Sequence, residues 1–180
     1  NVMYAYIDRK KKFPVTTLLR ALGYSSDDEI LTLFNLVEEV DVAKADLETY
    51  EGRMICSDVV DRKTGEIFLN KDTRLDAEII KRIKKAGVKK IRLLQQQGNE
   101  ESVIAKTILK DSVRSEEDAL TAIYKQLRSG DAPDLETAKT LIDRLFFNEK
   151  RYDLGDVGRY RINSKLGLDI PVSTTTLTKG

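Results

Sequence analysis

The sequence predicts an α+β fold: a mainly helical lobe over residues 1–51 and 98–180, carrying a small inserted β-hairpin–helix–strand module over 52–97. Three observations predict it. Both flanks hold apolar residues at helical spacing behind capping residues. The middle shortens to strand-like runs around a glycine-containing turn. The charge changes sign with the same blocks. Residues 1–24 hold five cations and one anion, net +4; 25–51 hold one and nine, net −8; 52–97 hold twelve and six, net +6; 98–180 hold thirteen and fourteen, net −1. The total is only +1, so the alternation implies distinct surfaces instead of one uniform face.

Taken in order, residues 3–8 alternate Met3, Ala5 and Ile7 against Tyr4, Tyr6 and Asp8, the period of a strand. Four cations follow, Arg9, Lys10, Lys11 and Lys12, running into Phe13 and Pro14. Proline suits the first turn of a helix, where its missing N–H costs nothing. Val15, Leu18, Leu19 and Leu22 then form one apolar stripe, and Gly23 can end that helix in the left-handed region. Ser26 and Glu29 make a capping box for a second helix with Ile30, Leu33, Phe34 and Val37 inward. The acidic stretch from Val37 to Gly52 reads as a connector or a weak edge strand.

In the middle block, 53–70 reads as strand, turn, strand, with Gly65 free to take positive φ. Thr73 with Asp76 caps a helix lined by Leu75, Ile79 and Ile83; Gly87 ends it, and 88–94 is a returning strand. Further on, Ser115 with Asp118 caps a helix with the stripe Leu120, Ile123, Tyr124 and Leu127. The loop at 128–133 breaks it, and Asp134 caps another helix with Ala138, Leu141, Ile142 and Leu145 inward. Residues 146–163 mix aromatics with arginines, and 169–180 read as loop or frayed tail.

With 180 residues, 41% of them hydrophobic, the chain can build a real core without staples. Cys56 is alone and cannot form an internal disulfide, so it is expected reduced, as a small half-buried apolar residue in a cytosol-like compartment. There is no histidine, which removes the commonest acid–base group and metal ligand, and with one cysteine it excludes ordinary structural zinc. No apolar run is long enough to span a membrane, and the start resembles a piece cut from a longer chain.

No motif assembles an active site: the calcium-loop and phosphate-loop patterns are missing, and the acidic residues have no nucleophile or base tied to them. The segment 155–158, GDVG, fits the G-x-x-G of KH-type RNA binders, but a four-residue pattern is weak and Asp156 would face phosphate. The positive signal is cations beside aromatic rings, in Arg9–Lys12 before Phe13 and again around Arg151 and Arg159–Arg161. Such runs fit a phosphate-binding surface, but local sequence alone favours a solvated charge run with core aromatics, since Lys/Arg runs are common on ordinary surfaces.

Longer strings narrow this. Residues 7–31, IDRKKKFPVTTLLRALGYSSDDEIL, and 119–163, ALTAIYKQLRSGDAPDLETAKTLIDRLFFNEKRYDLGDVGRYRIN, closely resemble the lobe of the β subunit of bacterial DNA-directed RNA polymerase. Residues 57–91 resemble the small β–β′-type module that many bacterial β subunits insert within that lobe. The resemblance implies a non-catalytic wall of the main cleft, in an enzyme that is a nucleotidyltransferase. It implies contact with downstream DNA at Arg9, Lys10, Lys11 and Lys12, and with the non-template strand at Arg128 and Arg151. It implies no cofactor or metal here, the catalytic magnesium belonging to the β′ subunit. The implied partners are DNA, the rest of β, β′, α and a sigma factor, in the bacterial cytoplasm and associated with the nucleoid. The alternative is a docking module for transcription regulators, with the basic 52–97 insert as the partner surface. The sequence departs from many relatives at Ser129, where they carry proline.

Overall fold

The computed structural model describes residues 1–8, 10–61, 65–95, 102–130 and 134–178. Strands β1 (Tyr4–Asp8) and β2 (Lys11–Pro14) pair antiparallel, with Tyr4 opposite Pro14 and Tyr6 opposite Lys12. Pro14 is the N-cap residue of α1 (Val15–Ala21). This helix lies between two buried clusters. Leu18 and Leu22 pack on one, built from Phe13, Leu120, Ile123, Ala138 and Ile142; Val15 and Leu19 pack on the other, built from Ile30, Leu31, Leu36, Ile104 and Ile108. Because both sides of α1 are covered, the expected stripe is only half-buried. The deepest side chains are Thr16, Thr17 and Arg20. Thr17 donates to the buried carboxylate of Asp111 at 2.9 Å, and Thr16 bonds the same oxygen, so these hydroxyls are satisfied.

Helix α2 (Asp27–Leu33) starts with the expected box: Ser26 Oγ accepts from Glu29 N at 3.1 Å, and Glu29 Oε2 accepts from Ser26 N at 2.8 Å. It ends sooner than the stripe implied. Asn35 turns left-handed at φ 53, which leaves Leu33 and Phe34 exposed and sends Leu31 and Leu36 inward instead.

The acidic stretch is a strand. β3 (Val37–Asp41) pairs antiparallel with β6 (Lys90–Leu94), and a 3₁₀ turn follows at Leu47–Tyr50. Between them stand the hairpin of β4 (Val59–Val60) and β5 (Ile67–Leu69), and α3 (Ala77–Ala86). Asp76, not Thr73, caps α3, accepting from Ile79 N at 2.7 Å; Thr73 bonds the Asn70 carbonyl instead. Ile80 is buried in place of Ile79, and Gly87 ends the helix at φ 68 as expected. The module's cluster contains Ile55, Leu75, Ile83 and Leu93 together with Val40 and Leu47, so it crosses the expected division at 51/52. The centre of the hairpin turn, 62–64, lies outside the described residues.

Four helices complete the lobe. α4 (Val103–Lys110) was not expected; α5 (Glu116–Arg128) and α6 (Leu135–Phe146) carry their expected caps, Ser115 and Asp134; α7 (Gly155–Leu166) contains the GDVG segment. The G-x-x-G reading therefore fails: those glycines form the first turn of a helix, not a phosphate-clamping loop. The tail beyond α7 is irregular but held. Arg159 Nε and Nη2 donate to the carbonyls of Thr174 and Thr176 at 2.6 and 2.7 Å, Asn163 Nδ2 donates to Ile170 O at 2.6 Å, and Leu154 N donates to Thr175 O at 2.9 Å. The seven helices and small antiparallel sheets among the described residues are the expected α+β class.

Candidate nucleic-acid interface

The basic run sits on the β1–β2 hairpin, where side chains alternate between faces. Phe13 is buried, so Lys11, two residues before it, points the same way. Its Nζ donates to the Leu127 carbonyl at 3.1 Å. The last carbonyls of a helix lack partners inside it and carry the negative end of the helix dipole. Lys11 thus caps the end of α5 and ties the hairpin to it.

Lys12 faces the other way. Its ammonium lies 4.7 Å from the centroid of the Tyr4 ring, and Tyr6, 67% exposed, stands opposite it. Such a cation over a ring is worth about 0.5–1 kcal/mol when exposed. Lys10 is exposed in the turn, while Arg9 lies outside the described residues.

Arg128 is the last residue of α5 and exposed. Ser129 follows it in the left-handed region at φ 57. Proline cannot take that φ, so this helix end is one that a proline at 129 would forbid. Because Lys11 bonds Leu127, the hairpin and the Arg128 end of α5 are neighbours. Arg151 is exposed in the turn between α6 and α7, and no hydrogen bond or ion pair among the described residues joins it to Lys11 or Arg128. Arg159, from the second basic–aromatic run, is only 3% exposed and holds the tail.

The other basic block behaves differently. Arg53 pairs with Glu38, Lys84 with Glu48 and Lys90 with Glu39, at 2.7, 2.8 and 2.5 Å. Lys71 bonds Asp27 at 2.5 Å, and Arg92 bonds Asp28. All five acids come from 25–51, so the −8 and +6 blocks face each other inside the molecule. Arg20, fully buried, bonds Asp27 and the Ser25 carbonyl. Burial pushes the Asp27 carboxyl up, but the bonds from Lys71 and Arg20 outweigh it and hold it below its ordinary 3.8. At Asp28 burial wins over Arg92 and raises the carboxyl above 3.8. Its Oδ1 finds no partner among the described residues. Glu48 is drawn down to about 2, chiefly by its hydrogen bond from Lys84. Cys56 is buried beneath this seam, and desolvation, with Asp28 nearby, pushes its thiol up to about 12. Such a thiol is inert at neutral pH.

The family model for RNA polymerase Rpb2, domain 2, matches residues 73–180, more than half of the chain. The chain belongs to that family. Its curated relatives include the DNA-directed RNA polymerase subunit beta of Flavobacterium psychrophilum, 48% identical over 99% of this chain and 16% of that protein. That of Cytophaga hutchinsonii is 47% identical over 99% of this chain and 15% of that protein. That of Chlorobium chlorochromatii is 47% identical over 92% of the chain and 13% of the relative. The chain therefore spans about 16% of the first relative's length. Within this Rpb2-type domain, sequence reasoning missed the inward turn of Lys11, although Phe13 two residues on was a usable signal. It also missed the pairing of the charge blocks, for which block totals give no partner.

Proposed function

We propose that this chain is a non-catalytic wall of the main cleft of a DNA-directed RNA polymerase. It holds exposed cations against the phosphates of downstream duplex and the non-template strand. The observation that carries the reading is the bond from Lys11 to the Leu127 carbonyl, 3.1 Å, which joins the basic hairpin to the helix end bearing Arg128. Lys10, Lys12 and Arg128 are then the phosphate-facing groups, with Arg9 and Arg151 as the family resemblance assigns them, and Lys11 fixes the edge they stand on. Phosphate contacts of this kind position nucleic acid and carry no base readout. Bond-making and its magnesium belong to β′ in this reading, and the chain works with the rest of β, β′, α and a sigma factor.

The test is the lifetime of the open promoter complex of the assembled polymerase carrying Lys10→Ala, Lys12→Ala and Arg128→Ala. A shorter lifetime whose deficit changes with salt is expected; an unchanged lifetime at every salt concentration overturns the reading.

A second reading, docking of transcription regulators on the module, is favoured by one observation. Val60 and Ile67, paired across the β4–β5 hairpin, are 48% and 55% exposed, an apolar pair on an otherwise charged surface. Val60→Ser with Ile67→Ser in the assembled enzyme should then weaken a regulator's effect and spare basal transcription, and an unchanged regulator's effect counts against the reading. Loss of basal transcription counts against it.

A further inference from the structure

Beside that exposed pair a strand edge stands open. In the β3–β6 ladder Val42 N donates to Lys89 O at 2.9 Å, which fixes the parity: backbone groups of 89, 91 and 93 face β3, and those of Lys90, Arg92 and Leu94 face away. On this outer edge Leu94 N donates to Met54 O at 2.8 Å, and Arg92 O accepts from Cys56 N at 2.9 Å. There the pairing stops. The chain after Cys56 turns away: Asp58 Oδ1 accepts from Lys71 N at 2.6 Å, and Val59 pairs with Leu69 instead. Among the described residues no backbone group meets the Arg92 N–H or either backbone group of Lys90. The gap is a cleft of about 490 Å³ between 57–61 on one side and 85–92 on the other.

Its charge is what internal pairing leaves behind. Lys71, Lys84, Lys90, Arg53 and Arg92 are matched by acids of the 25–51 block, and Arg82 lies over the Phe68 ring. Lys85 and Lys89 have no partner among the described residues, and both line the cleft. Of the acids that also line it, Glu39 is paired with Lys90 and Asp61 has a contact of its own; Asp58 accepts from the Lys71 amide and keeps its charge, which leaves two lysines against one acid.

We propose that this cleft takes an extended acidic segment of a partner protein, which adds as a strand to the outer edge of β6. Main-chain bonds to Lys90 and Arg92 supply affinity, Val60 and Ile67 contact apolar side chains, and Lys85 and Lys89 select for acids. The inference rests on the docking reading and names the site and the partner's chemistry.

The test uses the 180-residue chain labelled with ¹⁵N and the peptide acetyl-Asp-Val-Glu-Ile-Glu-Val-Asp-amide, with the same peptide carrying lysine at the acidic positions as control. Saturable binding of the acidic peptide is expected, with the Lys90 and Arg92 amides shifted and protected from hydrogen exchange. Binding should weaken about tenfold in the Lys85→Glu, Lys89→Glu variant, where like charges now meet. Equal affinity of that variant, or no saturable binding at millimolar peptide, overturns the proposal. Shifts confined to another face of the module overturn the strand-edge site and leave the docking reading standing, which the Val60→Ser, Ile67→Ser variant in the assembled enzyme tests separately.

Discussion

Two basic regions of this molecule have opposite fates. The module directs Arg53, Lys71, Lys84, Lys90 and Arg92 at acids of the neighbouring block, and in the seam beneath it Arg20, Lys71 and Arg92 converge on Asp27 and Asp28. The hairpin edge keeps Lys10 and Lys12 at the surface and gives only Lys11 to a helix end. A block total of +6 therefore overstates the module's outward charge, and the +4 of residues 1–24 also counts the buried Arg20 and the engaged Lys11, so that Lys10 and Lys12 are the exposed cations among its described residues. Charge count is a statement about composition; availability is set by which acids the fold brings within reach.

The sharpest way to break this contrast is to remove a paired cation. Arg20→Ala leaves the Asp27 carboxylate short of one partner and opens a space in a fully buried position. Losing one member of a buried pair costs about 3–5 kcal/mol, so urea unfolding should move to clearly lower denaturant. The double change Lys10→Ala, Lys12→Ala should shift stability by no more than about 0.5 kcal/mol, the usual range for surface positions. Equal losses would erase the distinction.

A smaller effect is expected at the end of α5, which the exposed edge depends on. Ser129→Gly removes the penalty of a non-glycine residue at φ 57 and should stabilise by about 1 kcal/mol. Ser129→Pro should destabilise by more than that, since proline cannot reach this φ and must rebuild the helix end beside Arg128. Thermal unfolding of the two variants checks both signs.

Smaller still are the titrations in the paired region. Asp27 is held below 3.8, so its contribution to stability is present above that value and disappears as pH falls through the lowered one. Asp28 is raised, so its charged form destabilises the fold above the raised value, and that penalty is relieved as pH falls through the raised value toward 3.8. Carboxyl chemical shifts followed against pH should place the two on opposite sides of 3.8; coincident titrations would mean that the seam treats them alike.

The sequence disclosed what depends on local chemistry. Ser26, Ser115 and Asp134 cap the helices expected of them because capping needs only residues three apart. Helix α4 went unseen because its buried stripe, Ile104, Thr107 and Ile108, has a threonine in the middle. That threonine is needed there: its hydroxyl donates to the Val103 carbonyl and accepts from the Met3 amide. Helix α7 has no apolar stripe at all, since its one fully buried side chain is Arg159 and Val157 and Tyr160 are exposed. In the candidate site, the exposure of Lys10, Lys12, Arg128 and Arg151 accords with the local pattern. The bond from Lys11 to Leu127 joins residues 116 positions apart, and no local pattern encodes it.

The most direct measurement is the salt dependence of promoter DNA binding by the assembled polymerase, compared for two sets of variants. Each phosphate contact contributes about 0.9 to the log–log slope, so Lys10→Ala, Lys12→Ala and Arg128→Ala together should make it shallower by about 2.7. Lys84→Ala with Lys90→Ala, which removes two cations already paired with Glu48 and Glu39, should leave the slope unchanged. An unaltered slope in the first set, or an equal change in both, would contradict the account.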